Sequence, residues 1–206
     1  MSVATHRAKS AAPRTRASAI RRRIIAALIA AGLGIAVAVG IGQINVSEAI
    51  REVTLPLRHD DIIRQQADER SLDPALIAAV IEAESGFDTA ARSDKGARGL
   101  MQVTPATALD IAERSEGTAF VVSDLSDPDI NIRYGTFHLE EMLEQFGGNE
   151  IAGLAAYNAG SGNVTQWGGA ELELADIRFP ETRAYVERVL DKREDYRNNY
   201  AEELGL

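Results

Sequence analysis

No cysteine occurs in the 206 residues, so no disulfide staples the fold and no thiolate serves as a nucleophile. The domain must stand on its apolar core. Histidine is nearly missing too. His6, His59 and His138 are scattered, without cysteine or acidic partners at ligand spacing, which argues against a zinc-type centre. Asp127, Asp129 and Asn131 match the first three spacings of a calcium loop. Ile132, however, stands where that loop needs glycine, and His138 where it needs glutamate. The expectation is a protein with no metal and no cofactor. No internal repeat or heptad run is present.

Acidic residues are absent from residues 1–23, which carry seven basic ones, and all charge is absent from Ile24 to Gly42. With 22 basic and 31 acidic residues in the whole chain, the part beyond residue 23 has 15 against 31, a formal charge of −16. The 19-residue uncharged run spans about 28 Å as a helix, close to the roughly 30 Å of a bilayer's hydrocarbon. The basic flank places the N-terminus in the cytoplasm and the chain after Gly42 outside it. The expected organisation is a basic cytoplasmic segment 1–23, a transmembrane helix 24–42, a tether 43–58 and a folded domain 59–206. That domain lies in the periplasm or another extracytoplasmic space, held at the inner membrane. A cleaved signal peptide ending near Ala36-Val37-Ala38 is the alternative, but that site falls inside an apolar run longer than a signal peptide's usual core. Nucleic acid is not an expected partner, because the basic arm adjoins the spanning segment and the remainder is acidic.

Within the domain, local signals announce helices. Ile62, Ile63 and Ala67 recur at helical spacing between Asp60 and Arg70. Asp73-Pro74, Thr104-Pro105 and Asp127-Pro128 each place a capping side chain before a proline at the first helical position. The third of these helices runs to Gly147-Gly148, Asn149 caps a short segment to Tyr157, Gly-rich residues 158–162 turn the chain, and a last helix covers about Pro180 to Tyr200. The fold class is mainly α.

The helix after Pro74 carries Leu76, Ile77, Val80 and Ile81 on one stripe, and the next position of that stripe is Glu84. Apolar surroundings and the negative end of the helix dipole both disfavour its charged form, which makes a proton donor at neutral pH. Glu82 lies about 200° round the helix and is not equivalent. On the helix alone, the commoner explanation of Glu84 is a polar residue turned to water. The segment Ala91 to Gln102 is glycine-punctuated and reads as a loop or short strand pair.

Glu84-Ser85, then Gly99-Leu100-Met101-Gln102, Asn131 and Gly135, Ala156-Tyr157-Asn158-Ala159-Gly160 and Glu181-Thr182-Arg183-Ala184-Tyr185-Val186 follow in one order. This order resembles the lytic transglycosylase family with the SLT domain, over about residues 58 to 200. The resemblance implies a lysozyme-like α-helical domain of the goose type with a small irregular or β segment. It implies peptidoglycan glycan strands as substrate and Glu84 as the catalytic residue. Glu84 would act first as acid on the bond between N-acetylmuramic acid and N-acetylglucosamine. It would then act as base on the muramoyl C6 hydroxyl, giving 1,6-anhydro ends with help from the substrate's N-acetyl group.

By the same resemblance Ser85 helps to position Glu84 or substrate, Gln102 offers a substrate-binding amide, Met101 an apolar wall, and Tyr157 and Asn158 line the cleft. Glu181 borders it. Read from the residues alone, Met101 is equally a core side chain, Tyr157 a packed tyrosine, Asn158 a helix-ending residue and Glu181 a first-turn charge favoured by the helix dipole. A lysozyme-like hydrolase and a noncatalytic peptidoglycan-binding component of an envelope assembly are the competing functions. The sequence does not separate general wall turnover from a dedicated role in secretion or conjugation machinery.

Overall fold

The computed structural model describes residues 15–40, 46–114 and 119–206, and the chain divides into two compact units, Met1–Arg51 and Glu52–Leu206. Helix α1, Thr15–Gly40, belongs to the first unit. Its side chains Ile24, Ile25, Leu28, Ile29, Leu33 and Ile35 are 46–67% exposed. Among the described residues no helix is long and apolar enough to cross a membrane. The expected 24–42 span continues beyond them, because side chains from 36 onward and residues 41–42 lie outside the described set. Helix α2, Val46–Thr54, falls within the stretch expected as tether, and the second unit already begins at Glu52.

The second unit contains α3 (Asp60–Arg70), α4 (Pro74–Ser85), α5 (Pro105–Arg114), α6 (Pro128–Gln145), α7 (Glu150–Ala159), α8 (Ser161–Trp167), α9 (Pro180–Asn199) and α10 (Ala201–Leu204), with short 3₁₀ turns between them. Among the described residues, β structure is confined to two isolated antiparallel bridges, Arg92 with Arg98 and Arg98 with Val103. The expected α-helical domain with a small β segment is therefore present.

Helix α4 is the axis of this unit. Asp73 Oδ1 accepts from the Ala75 N–H at 3.0 Å, Pro74 occupies the first turn, and Gly86 ends the helix at φ 59° with its N–H on the Glu82 carbonyl. Every residue from Ala75 to Ile81 is buried, so α4 is apolar all round rather than along the single stripe read from its sequence. Its alanines permit this: a side with Ala75, Ala78 and Ala79 admits a neighbouring helix closely. Helix α4 packs most extensively on α9 and next on α3, while α6 packs on α3 and α7, and α7 on α9.

Polar contacts fix the pairing of α4 with α9. Arg197 Nη2 donates to Asp73 Oδ2 at 2.9 Å near one end, and Lys192 Nζ lies 3.8 Å from Glu82 Oε1 further along. The two helices therefore run antiparallel, which carries the first half of α9 to Glu84. At the other half of α9, the Tyr196 hydroxyl donates to the Pro56 carbonyl at 2.6 Å and the Tyr200 hydroxyl to the Leu55 carbonyl at 2.7 Å.

Candidate active site

Glu84 sits in the last turn of α4 and is half-buried. Burial raises its pKa to about 7, against the opposing influence of the Tyr185 hydroxyl and, next, the Arg188 guanidinium. Both opposing groups come from α9, one turn apart. The Arg188 guanidinium stands 5.9 Å from the Tyr185 ring centroid. The Tyr185 hydroxyl is buried and closes no well-aligned hydrogen bond, although it is near enough to Glu84 to act on it. That unspent donor faces the acid. No second carboxylate is among the groups that act on Glu84. Glu82 meets α9 further along, at Lys192, so the two glutamates have different partners.

Tyr157, on α7, closes the site from another side. Its hydroxyl donates to the Met101 carbonyl at 2.7 Å, so its oxygen is left as an acceptor. Burial first, and then the charge of Glu84, push the pKa of Tyr157 well above the usual tyrosine value, and the same two causes act in that order on Tyr185. Both phenols are neutral at neutral pH. His138, whose ring centroid is 5.2 Å from that of Tyr157, has its pKa lowered chiefly by burial and adds no charge at neutral pH.

The loop 99–103 reaches Glu84 through Ser85. The Ser85 hydroxyl shares its one proton between the Leu100 carbonyl at 2.8 Å and the Ile81 carbonyl at 3.1 Å. It holds the loop on the end of α4. Met101 is fully buried: of its two expected roles, apolar wall and core, the structure gives the core. Its side chain lies where Gly135 leaves room, since a Cβ there would stand 2.4 Å from its sulfur. Gln102 adopts φ 49°, and its amide N–H groups donate to the Gly99 and Ala91 carbonyls at 2.9 and 3.2 Å. The amide thus braces the loop.

Asn131 underpins this loop from α6. Its Oδ1 accepts from the Met101 N–H at 2.8 Å, and its Nδ2 donates to the Arg98 carbonyl at 2.8 Å and the Leu125 carbonyl at 2.9 Å. Gly99, at φ 73°, passes so close that a Cβ would meet Asn131 Nδ2 at 2.3 Å and the Leu125 oxygen at 2.6 Å. Phe87 and Gln102 also take left-handed backbone without being glycine, at φ 64° and 49°. Each costs on the order of 1–2 kcal/mol, and strain of this kind collects at functional sites.

Asn158 is exposed, and its Oδ1 accepts from the buried Thr182 hydroxyl at 2.8 Å, tying α7 to the start of α9. Glu181 is exposed in the first turn of α9, where a carboxylate complements the helix dipole. Neither Tyr185, which stands inside the segment Glu181 to Val186, nor Arg188, which follows it, is among the expected site residues. Their three-residue spacing puts them on one side of α9 beside Glu84. A groove of about 650 Å³ lies elsewhere, lined at the N-terminal end of α4 by Asp73, Leu76, Glu140 and Gly148. Eleven residues of helix, about 16 Å, separate Asp73 from Glu84, and the groove holds none of the expected site residues.

This geometry can be set beside known proteins. Residues 61–179 match the family model described as the transglycosylase SLT domain. The chain is 34% identical over 147 residues to the soluble lytic murein transglycosylase of Escherichia coli K12, covering 68% of this chain and 23% of that protein. It is 35% identical over 113 residues to the membrane-bound lytic murein transglycosylase F of Desulfosudis oleivorans, covering 52% of this chain and 23% of that one. A solved structure of the lytic transglycosylase Slt from Pseudomonas aeruginosa, an inactive glutamate-to-glutamine mutant, matches with TM-score 0.67 and 34% identity over 72% of this chain and 25% of its own. The chain spans about a quarter of the length of these relatives. It belongs to the transglycosylase SLT domain family.

Proposed function

We propose that the domain is a peptidoglycan lytic transglycosylase in which Glu84 serves first as acid and then as base. The observation that carries this reading is one carboxyl group held protonated near neutrality, with two neutral phenols and no second carboxylate acting on it. Glycosidases that hydrolyse through two carboxyl groups need the second one about 5–9 Å away. Here Glu84 gives its proton to the glycosidic oxygen as the bond from the muramoyl C1 breaks. The substrate's N-acetyl group steadies the positive charge that develops. The Glu84 carboxylate then takes the proton of the C6 hydroxyl as the C6 oxygen bonds to C1, so the acid is restored and no water is consumed. Tyr185 aims a donor at the carboxylate that appears midway, and Arg188 favours that form electrostatically. Tyr157, its proton committed to the Met101 carbonyl, adds no charge beside the acid.

Cyclisation wins over hydrolysis because the C6 hydroxyl is part of the bound sugar. Such intramolecular groups reach effective concentrations on the order of 10⁵ M or more. Digestion of purified wall material in ¹⁸O-labelled water tests this. Unlabelled anhydromuramoyl ends, lighter by one water than reducing ends, are expected. Labelled reducing ends as the main product would make the domain a hydrolase and end the double role of Glu84.

The pH dependence has a fixed direction. The free enzyme must hold the Glu84 proton, so kcat/KM is retained below about pH 7 and lost as pH rises through it. Arg188 stabilises the carboxylate, so Arg188→Gln moves this alkaline limb upward. The step is small, because an exposed guanidinium is screened by solvent and salt. A pH series at constant ionic strength checks both position and direction.

The run 24–42 acts in this reading as an anchor that holds the domain outside the inner membrane, with residues 1–23 in the cytoplasm. Its support is the uncharged length, the basic flank and the exposed apolar side chains of α1. Full-length protein in the membrane fraction is expected, and a soluble species beginning near Val39 would reject it.

A further inference from the structure

The groove at the far end of α4 from Glu84 joins an apolar floor to an acidic rim. Leu76, in the first turn of α4, lines it together with Leu72 just before that helix and Leu143 from α6. Four carboxylates, Asp73, Glu140, Glu144 and Glu150, stand around these leucines against a single lining cation, Arg70. Three of the four are matched within the chain. Arg70 Nη1 donates to Glu140 Oε2 at 2.7 Å, Arg197 Nη2 to Asp73 Oδ2 at 2.9 Å, and Arg193 Nη1 to the two oxygens of Glu150 at 2.8 and 2.7 Å. Glu144 is exposed and joins none of the ion pairs among the described residues. One unmatched negative charge is left on the rim.

The mouth is bare of side chains where Gly147 and Gly148 turn the chain from α6 toward α7. Both have left-handed backbone, at φ 64° and 82°, and a Cβ at either would meet nothing within 4 Å. Their N–H groups are spent on the Glu144 and Leu143 carbonyls at 3.0 and 2.9 Å, so this edge offers room rather than donors. At about 650 Å³ the groove falls within the roughly 300–1,000 Å³ of ordinary ligand pockets, enough for a few residues of an extended chain. Its lining decides among the occupants that a cell envelope offers. A glycan strand brings hydroxyls and acidic peptide stems, and neither suits leucines ringed by carboxylates. An anionic bilayer surface is repelled by the same ring. A peptide segment with apolar side chains beside a Lys or Arg matches both the floor and the unmatched charge of Glu144.

We propose that this groove docks a basic, apolar segment of a partner protein. The choice of occupant rests on the reading of the domain as an envelope enzyme. With the groove about 16 Å along α4 from Glu84, the segment leaves the cleft clear for glycan, and docking sets where the enzyme works rather than how fast it works.

The test selects random dodecapeptides displayed on phage against the full-length protein in neutral detergent, with Glu144→Lys as the counter-target. Peptides retained by the wild type alone are expected to carry apolar residues beside a Lys or Arg. A synthetic peptide of the selected sequence is then titrated by calorimetry. Glu144→Gln binds it about threefold more weakly, the size of one exposed ion pair, and Glu144→Lys about tenfold or more weakly, because attraction becomes repulsion. Leu72→Ala, which shortens the floor, weakens it about tenfold. Glu144 is exposed, so its variants keep the fold. Saturating peptide leaves the KM for glycan strands unchanged. A selection that yields no binder lost in Glu144→Lys, selected peptides without a basic residue, or competition between peptide and glycan strands overturns the proposal. The titrations do not depend on cleavage. If no strand yields anhydro ends, the reading of the cleft fails, while the docking site stands or falls on the difference between the wild type and the Glu144 variants.

Discussion

Glu84→Gln is expected to lower turnover by about 10³-fold or more, because in the proposed mechanism one carboxyl group supplies both proton transfers and each is worth 10²–10⁴-fold in typical enzymes. Gln keeps the shape and a donor but cannot give up and retake a proton. Glu82→Gln, on the side of α4 that meets Lys192, is expected to leave most activity in place. A reversed order of the two variants would show that the acid has been misassigned. The same substitution has a second consequence, opposite in sign. Between about pH 4.5 and 7 the native carboxyl keeps a proton that the unfolded chain releases, so its contribution to stability is present at low pH and lost as pH rises through about 7. Removing the carboxyl therefore stabilises the domain by about 1–3 kcal/mol at pH 8 and by almost nothing at pH 4. Melting curves of both proteins at the two pH values check this. An inactive variant that melts higher only at the upper pH is the signature of an acid kept neutral by burial.

Asn131→Leu should be the most damaging single change to the fold. It has nearly the same volume, yet it leaves the Met101 N–H and the Leu125 carbonyl without their partner in a buried place, while the Arg98 carbonyl keeps the Val103 N–H at 3.1 Å. At about 1–2 kcal/mol for each of the two unsatisfied groups, the loss is about 2–4 kcal/mol, a large part of the 5–15 kcal/mol typical of a domain. For a unit of this size that is roughly a 5–15 °C fall in Tm. Thermal unfolding decides the matter, and a fall of only a degree or two would mean that water replaces the amide.

Helices were legible where the chain writes its own boundaries. Asp73-Pro74, Thr104-Pro105 and Asp127-Pro128 each cap locally, and each helix starts where the sequence puts it. Helices α8 and α10 were not foreseen, since both are short, begin without a side-chain cap and follow residues that favour turns. Gly160 alone, at φ 89°, makes the break that the glycine-rich stretch suggested, and the helix resumes at Ser161. Glu84 was legible because helical periodicity carries an acid onto an apolar stripe. The burial of Met101 was not, because it depends on the space left by Gly135, 34 positions away in sequence. The orientation of Gln102 likewise depends on two carbonyls of a loop whose path no local signal fixes. Tyr185 looked like any buried aromatic on a helix; only the packing of α9 against α4 gives its hydroxyl an acid to face.

The phenols of Tyr196 and Tyr200 fasten the chain at Pro56 and Leu55 to the C-terminal half of α9. Lys192 Nζ adds a contact to the Thr54 carbonyl at 3.5 Å. A pull on the polypeptide just ahead of Pro56 would thus bear on the C-terminal half of α9, where Tyr196 stands about 16 Å along the helix from Tyr185 and away from Glu84.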